Sequence, residues 1–179
     1  MDSMSIRICG GRYRSIRLDC PSLGVRPTTD RVKEAIFSVL MHDLQDSLVL
    51  DLFAGCGSLG IEALSRGAAH ATFVDSSRSC IEIIRKNIQS IRAENSATVM
   101  KSEAGQFVHK CRDSFDLIFM DPPYHKGLAT ELTPHVYNLL KIGGILVVEH
   151  SLRDLIPMDA WKSKRYGDTT ISYFRRSEE

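Results

Sequence analysis

The sequence predicts an α/β fold: a mostly parallel seven-stranded sheet with helices on both faces, a closing antiparallel hairpin, and a β-hairpin and helix in front. Three observations predict it. From Leu48 onward, short apolar runs alternate with segments of helical period, the order that builds a parallel sheet through crossover helices. Runs such as Leu117-Ile118-Phe119-Met120 are continuous rather than alternating, as in strands buried on both sides. The chain then ends in two strand-like stretches about Gly167-Asp168, a pair suited to a tight hairpin.

Taken in order, Ser5–Cys9 and Arg12–Leu18 flank Gly10-Gly11 and read as an N-terminal hairpin. Thr28 or Thr29 can cap a helix running to about His42, and Asp30 in its first turn suits the positive helix end. Strands are expected at Leu48–Ala54, Ala71–Asp75, Ala97–Ser102, Phe115–Asp121 and Gly144–His150. Helices are expected at Ser58–Arg66, Ser77–Arg92, Glu103–Lys110 and Gly127–Lys141; the second carries Ile81, Ile84, Ile88 and Ile91 on one face. Trp161–Tyr166 and Thr169–Arg176 form the final hairpin. This divides the chain into an extension, 1–45, and a catalytic unit, 46–179.

Composition excludes several classes. With 25% charged and 43% hydrophobic residues the chain reads as an ordinary globular protein, and a net charge of +1 leaves any nucleic-acid surface to local clustering. The five cysteines are scattered with no C-x-x-C pair, which argues against a zinc site or disulfide framework and for a reducing cytoplasm. The six histidines show no metal-ligand spacing, so no metal is expected. No charged-then-apolar leader opens the chain, and no apolar run approaches the roughly 18 residues of a membrane span. The expected setting is cytoplasmic, without a membrane.

Leu48–Gly60 reads LVLDLFAGCGSLG: a strand, a glycine turn, and a helix opening near Ser58. Gly55 and Gly57 let the backbone approach a ligand, and Gly60 lets the helix pack close to the strand. As a G-x-G-x-x-G pattern the turn also fits nicotinamide and flavin cofactors. Asp75, ending the second strand, suits the ribose hydroxyls of a nucleoside of either class. Asp51 separates the two: ahead of the glycines it can receive the amino group of a methionine moiety, where a pyrophosphate would be repelled. Glu103, after the third strand, could accept from an adenine amino group or simply start a helix. Phe53 and Ala104, beside these residues, complete the candidate cofactor set.

Asp121-Pro122-Pro123-Tyr124, at the end of the fourth strand, is the sharpest signal. An exocyclic amine on a base is a poor nucleophile because its lone pair is delocalised into the ring. A carboxylate and a backbone carbonyl that each accept an N–H bond turn that lone pair toward an electrophilic methyl group. Asp121 supplies the carboxylate and Pro122 the carbonyl, while the prolines fix the loop and remove donors. Tyr124 offers a face for a flipped base, stacking worth about 1–3 kcal/mol. Positioning of this kind can supply about 7–11 kcal/mol of barrier reduction. Together the two motifs indicate an S-adenosylmethionine-dependent amino-methyltransferase, releasing S-adenosylhomocysteine, on a Rossmann-like class I fold.

Residues 5–18 hold Arg7, Arg12, Arg14 and Arg17 and no acid, and Arg26, Arg31 and Lys33 continue the bias. On a hairpin near the catalytic edge the first four would contact phosphates. Arg12 and Arg14 share strand parity, with Tyr13, a possible stacking residue, facing the other way. The stretches IRICGGRYRSIRL, RPTTDRVKEAIFSVL, DLFAGCGSLGIEALSRGA and DPPY, with the closing YGDTTISYF, resemble the RsmD family over essentially the whole chain. The resemblance implies a monomeric class I enzyme that methylates N2 of a guanine in 16S ribosomal RNA, presented within a small subunit or assembly intermediate. Carried over by position, it implies Asp51, Gly55, Gly57, Asp75 and Glu103 as cofactor contacts and Asp121, Pro122 and Tyr124 at the target base. Glu103 departs from the Asn or Asp expected there. Cys56 replaces a residue that is often serine, and Glu149 and His150 read as structural. An N6-adenine or N4-cytosine DNA enzyme shares the D-P-P-Y chemistry, but usually carries a large recognition region. With about 45 residues ahead of the catalytic fold, RNA is favoured. A nicotinamide-dependent oxidoreductase is the more distant alternative.

Overall fold

A computed structural model describes residues 4–21, 29–124 and 126–178. Elements run β1 (Met4–Arg7), β2 (Arg17–Cys20), α1 (Asp30–Val39), β3 (Leu48–Leu52), α2 (Ser58–Ser65), β4 (His70–Asp75), α3 (Arg78–Ser90) and β5 (Ala97–Lys101). They continue with α4 (Ala104–Lys110), β6 (Phe115–Met120), α5 (Leu128–Tyr137), β7 (Leu140–Ser151), β8 (Lys162–Tyr166) and β9 (Thr169–Arg175). Seven strands form one sheet in the order β5-β4-β3-β6-β7-β9-β8. The first five are parallel, and β9 returns antiparallel between β7 and β8. This is the expected fold class. The order reverses beside β3, which pairs with β4 on one side and β6 on the other, so a crevice opens where β3 and β6 end.

Burial explains the continuous apolar strands. One core lies on the sheet face that carries α1, α2 and α3, around Phe37, Val49, Phe73, Ile84 and Phe119. The other lies beneath α4 and α5, around Leu50, Val74, Ile118, Val136 and Leu146. Neighbours along a strand point into opposite cores, so every position of β6 from Leu117 to Met120 is buried. The predicted stripe of α3 is likewise buried at Ile81, Ile84 and Ile88, and Ser77 caps it by accepting the Cys80 N–H at 3.4 Å. Thr29 caps α1 through the Val32 N–H; Thr28 lies outside the described residues. The helix expected to reach Lys141 ends at Tyr137 instead, because β7 starts early: Leu140 pairs with Phe115 across a register shift.

The N-terminal extension corrects the sequence reading in three respects. The hairpin pairs Met4 with Cys20 and Arg7 with Arg17, so residues 8–16 form a long connection, not a second strand about Gly10-Gly11. Docking on α2 outcompetes the tighter turn. Arg12 N–H donates to the Ser65 carbonyl at 2.6 Å, Tyr13 N–H to Ser65 Oγ at 2.9 Å, and Ser65 Oγ to the Gly10 carbonyl. Gly11, at φ 76°, permits the approach; a Cβ there would stand 1.8 Å from the Ser65 carbonyl oxygen.

Lys33, part of the basic bias of the extension, is fully buried. It lies 3.7 Å from Glu62, also fully buried, and donates to the Arg7 carbonyl. Glu62 accepts the Cys9 and Gly10 N–H groups, each at 2.8 Å, and the Arg66 guanidinium at 2.8 Å. Finally, Cys20 and Cys56 are joined as a disulfide with their Cα atoms 5.1 Å apart, where the scattered cysteines argued against a disulfide framework. The two are 36 residues apart in sequence and meet only because β2 ends against the glycine turn.

Candidate active site

The glycine turn is held by its own backbone geometry. Phe53, Gly55 and Gly57 all have positive φ, at 65°, 59° and 80°. For phenylalanine that conformation costs on the order of 1–3 kcal/mol, the kind of strain found at ligand sites. Gly60 brings α2 against β4: a Cβ there would lie 2.4 Å from the Phe73 ring. Asp51, almost fully buried, accepts the Gly60 N–H at 2.9 Å and so ties strand to helix. Asp75 accepts the Gly55 N–H at 2.9 Å through one oxygen and the Ser77 N–H at 2.8 Å through the other. Each carboxylate oxygen has further lone-pair capacity, so these backbone bonds leave room for ligand donors.

Glu103 is exposed at the N-cap of α4, makes no side-chain cap bond, and is followed by buried Ala104. It lies two residues beyond Lys101, the register partner of Asp75, so both stand where β4 and β5 end. The structure therefore brings Asp51, Phe53, Gly55, Gly57 and Asp75 to one turn and sets Glu103 and Ala104 further along the same rim.

Asp121-Pro122-Pro123-Tyr124 follows β6 directly. Met120 pairs with Leu52 on one side and Val148 on the other, which puts Asp121 between the glycine turn and Glu149 of β7. Burial and the neighbouring carboxylates of Glu149 and Asp51 hold the Asp121 carboxyl well above its usual range. Asp51 is pushed up to about 7, chiefly by burial and less by Asp75, with the Gly60 bond pulling the other way. The Tyr124 hydroxyl donates to Glu149 at 3.1 Å and meets Thr169 Oγ1 at 2.5 Å. Burial raises its pKa to about 12.

Glu149 thus meets the D-P-P-Y segment through Tyr124, a contact the sequence reading did not foresee, whereas His150 is buried between the Ser151 carbonyl and Ser172 Oγ. The available signal for Glu149 was an acid ending the strand beside the one that carries Asp121. Thr169 had no such signal, because its place depends on the antiparallel return of β9 opposite Ser151.

With this geometry established, comparison with known proteins gives the family. The family described as conserved hypothetical protein 95 matches residues 6–175. Ribosomal RNA small subunit methyltransferase D of Escherichia coli is 42% identical over 148 residues, covering 82% of this chain and 72% of that one. The chain belongs to the RsmD family. Its counterpart in Haemophilus influenzae is 35% identical over 177 residues, spanning 95% of this chain and 92% of that protein. Among solved structures, yhhF of Escherichia coli superposes with a TM-score of 0.90 at 33% identity, over 98% of this chain and 100% of that one. An RNA methyltransferase from Salinibacter ruber, solved with S-adenosylhomocysteine, shares the fold at 15% identity and a TM-score of 0.70, over 86% and 95% of the two chains.

In this RsmD-family chain the described arginines of the extension are spread over the hairpin, its connection and α1. Arg7 and Arg17 face each other across the hairpin, Arg7 bridged to Asp30 at 3.5 Å and Arg17 bonded to Ser5. Arg31 is exposed on α1, and Arg26 lies outside the described residues. Arg12 and Arg14 are exposed on the connection docked at Ser65, the end of α2 opposite the glycine turn. An eight-residue helix is about 12 Å long, which sets them well back from Asp121. Tyr13 is partly buried against the core, with the Arg12 guanidinium 5.6 Å from its ring centroid.

Proposed function

We propose that this protein uses S-adenosylmethionine to methylate the exocyclic N2 amine of a guanine in 16S ribosomal RNA, acting as a cytoplasmic monomer on a small subunit or assembly intermediate. The observation that carries the reading is the placement of Asp121-Pro122-Pro123-Tyr124 beside the strained glycine turn, at the switch point of the sheet. Family membership supports ribosomal RNA as the substrate class.

The residues at the rim fit a cationic nucleoside ligand. Asp51, at the turn, suits the ammonium of the methionine part, and Asp75 suits the ribose, with Phe53, Gly55 and Gly57 walling the turn. Glu103 and Ala104, further along the rim, take the adenine end. When bound, S-adenosylmethionine supplies an electrophilic methyl group on a positively charged sulfur; a C–N bond forms as the C–S bond breaks, and the electron pair stays on sulfur.

The chain's own part is positioning and charge. Asp121 and the Pro122 carbonyl accept the two amine N–H bonds and turn the nitrogen lone pair toward the methyl group. Tyr124 gives the base a face to stack on, held in orientation by Glu149 and Thr169. The proton lost by the methylated nitrogen has an acceptor in Asp121, whose affinity for a proton its burial and neighbours raise. Arg7, Arg12, Arg14, Arg17, Arg26 and Arg31 contact RNA phosphates, Arg12 and Arg14 at a distance from the target base.

Incubating the protein and labelled S-adenosylmethionine with 30S particles, free 16S RNA and DNA tests the reading. N2-methylguanosine in ribosomal RNA is the expected product. Label on adenine or cytosine in DNA would establish the alternative instead.

A further inference from the structure

The site carries one more carboxylate than activation of an amine requires. Asp121 and the Pro122 carbonyl already account for two acceptors, yet Glu149 stands beside Asp121 at the end of the neighbouring strand. Adjacent strands are about 4.8 Å apart, so two side chains that leave neighbouring strand ends can converge on one edge of a base. Glu149 is also fixed in direction, because its Oε1 accepts from the Tyr124 hydroxyl, the residue on which the base is to stack. The two oxygens of a carboxylate offer about four lone-pair sites, and an ionised carboxylate only accepts.

The amino-bearing bases differ in what lies next to the amine on the pairing edge. Guanine has N1–H, a donor, beside its N2 amine. Adenine has N1, and cytosine N3, as bare acceptors beside theirs. A carboxylate meeting that neighbouring position bonds guanine and repels the other two.

We infer that Glu149 is the guanine-selecting residue: it accepts the N1–H while Asp121 and the Pro122 carbonyl accept from the N2 amine. The inference rests on the guanine reading proposed above. Discrimination then comes as much from repulsion of the wrong base as from attraction of the right one.

The test uses small subunits reconstituted with 16S RNA carrying either guanine or 2-aminopurine at the methylated position. 2-Aminopurine keeps the exocyclic amine but has a bare N1. The wild-type protein should prefer guanine in kcat/KM by roughly 10- to 100-fold, the range for a hydrogen bond to a charged group. Glu149→Gln keeps an oxygen for Tyr124 and gains an amide donor for a bare N1. It should lose activity on guanine, gain it on 2-aminopurine, and bring the ratio to near unity. If Glu149→Gln fails to melt cooperatively, Glu149→Ser, which removes the carboxylate, should likewise collapse the ratio. A folded variant that retains the wild-type ratio overturns the role of Glu149, while N2-methylguanosine from the wild-type protein leaves the guanine reading standing. A wild-type product other than N2-methylguanosine overturns both.

Discussion

At the residue scale, the rim crowds Asp51, Asp75, Asp121 and Glu149 together, and burial with the neighbouring carboxylates raises the Asp51 and Asp121 carboxyls. A folded-state value above the unfolded one favours the fold at low pH, and that stability is lost as pH rises toward the folded value. For Asp51 the window runs from its ordinary 3.8 to about 7, and Asp121 acts in the same direction. A ligand with a sulfonium and an ammonium offsets this repulsion only once the carboxylates are charged. The gain in Tm with S-adenosylmethionine should therefore grow between about pH 5 and pH 8 in a thermal-shift titration. A gain that is flat or falls over this range would remove the electrostatic account of cofactor binding. Asp121→Ala should abolish methyl transfer yet leave cofactor affinity, measured by calorimetry, within a few-fold, because its task is to hold the amine. Substantial turnover in that variant would take Asp121 out of the chemistry.

At the element scale, α2 is the piece on which both halves of the molecule rest. Its Gly60 meets β4, and its Glu62 and Ser65 receive the extension. Replacing Glu62 with Ala would strand two backbone N–H groups and the buried Lys33, so a loss of about 3–5 kcal/mol is expected in urea unfolding. A loss below 1 kcal/mol would mean that the Lys33–Glu62 contact is dispensable to the fold. The docked connection also changes what its arginines should do. Arg12→Glu with Arg14→Glu should weaken RNA binding and flatten its salt dependence. Because these side chains stand back from Asp121, the effect belongs in KM. A comparable fall in kcat would place them nearer the target base than the docking on Ser65 allows.

For the whole molecule, the extension is as much core as appendage. Ile8, Leu18, Ile36, Phe37 and Leu40 are all buried in the core above the sheet, and Phe37 meets Phe119 of β6 with ring centroids 5.5 Å apart. Burying side chains of this kind contributes about 1.5–3 kcal/mol each. Against the 5–15 kcal/mol typical of a whole domain, residues 46–179 expressed alone should not fold stably. Circular dichroism would show this as the absence of a cooperative melt. A fragment that melts cooperatively near the full-length Tm would instead make the catalytic unit self-sufficient.

Periodicity and local chemistry determined the sheet, its closing hairpin, the stripe of α3 and the two site motifs. Each depends on neighbours a few residues apart: apolar runs, glycines that tolerate positive φ, and prolines that fix a strand end. Tertiary structure alone decided what long-range pairing sets. Lys33 left the surface because Glu62, Asp30 and the Arg7 carbonyl surround it, and charge counted along the chain cannot show a partner 29 residues away. Cys20 met Cys56, residues 8–16 docked on α2 rather than turning tightly, and Glu149 came beside Asp121 through strand register. The division is physical. Backbone preference and hydrophobic period act locally, whereas the environment of a charge or a thiol is made by whatever distant segment packs against it.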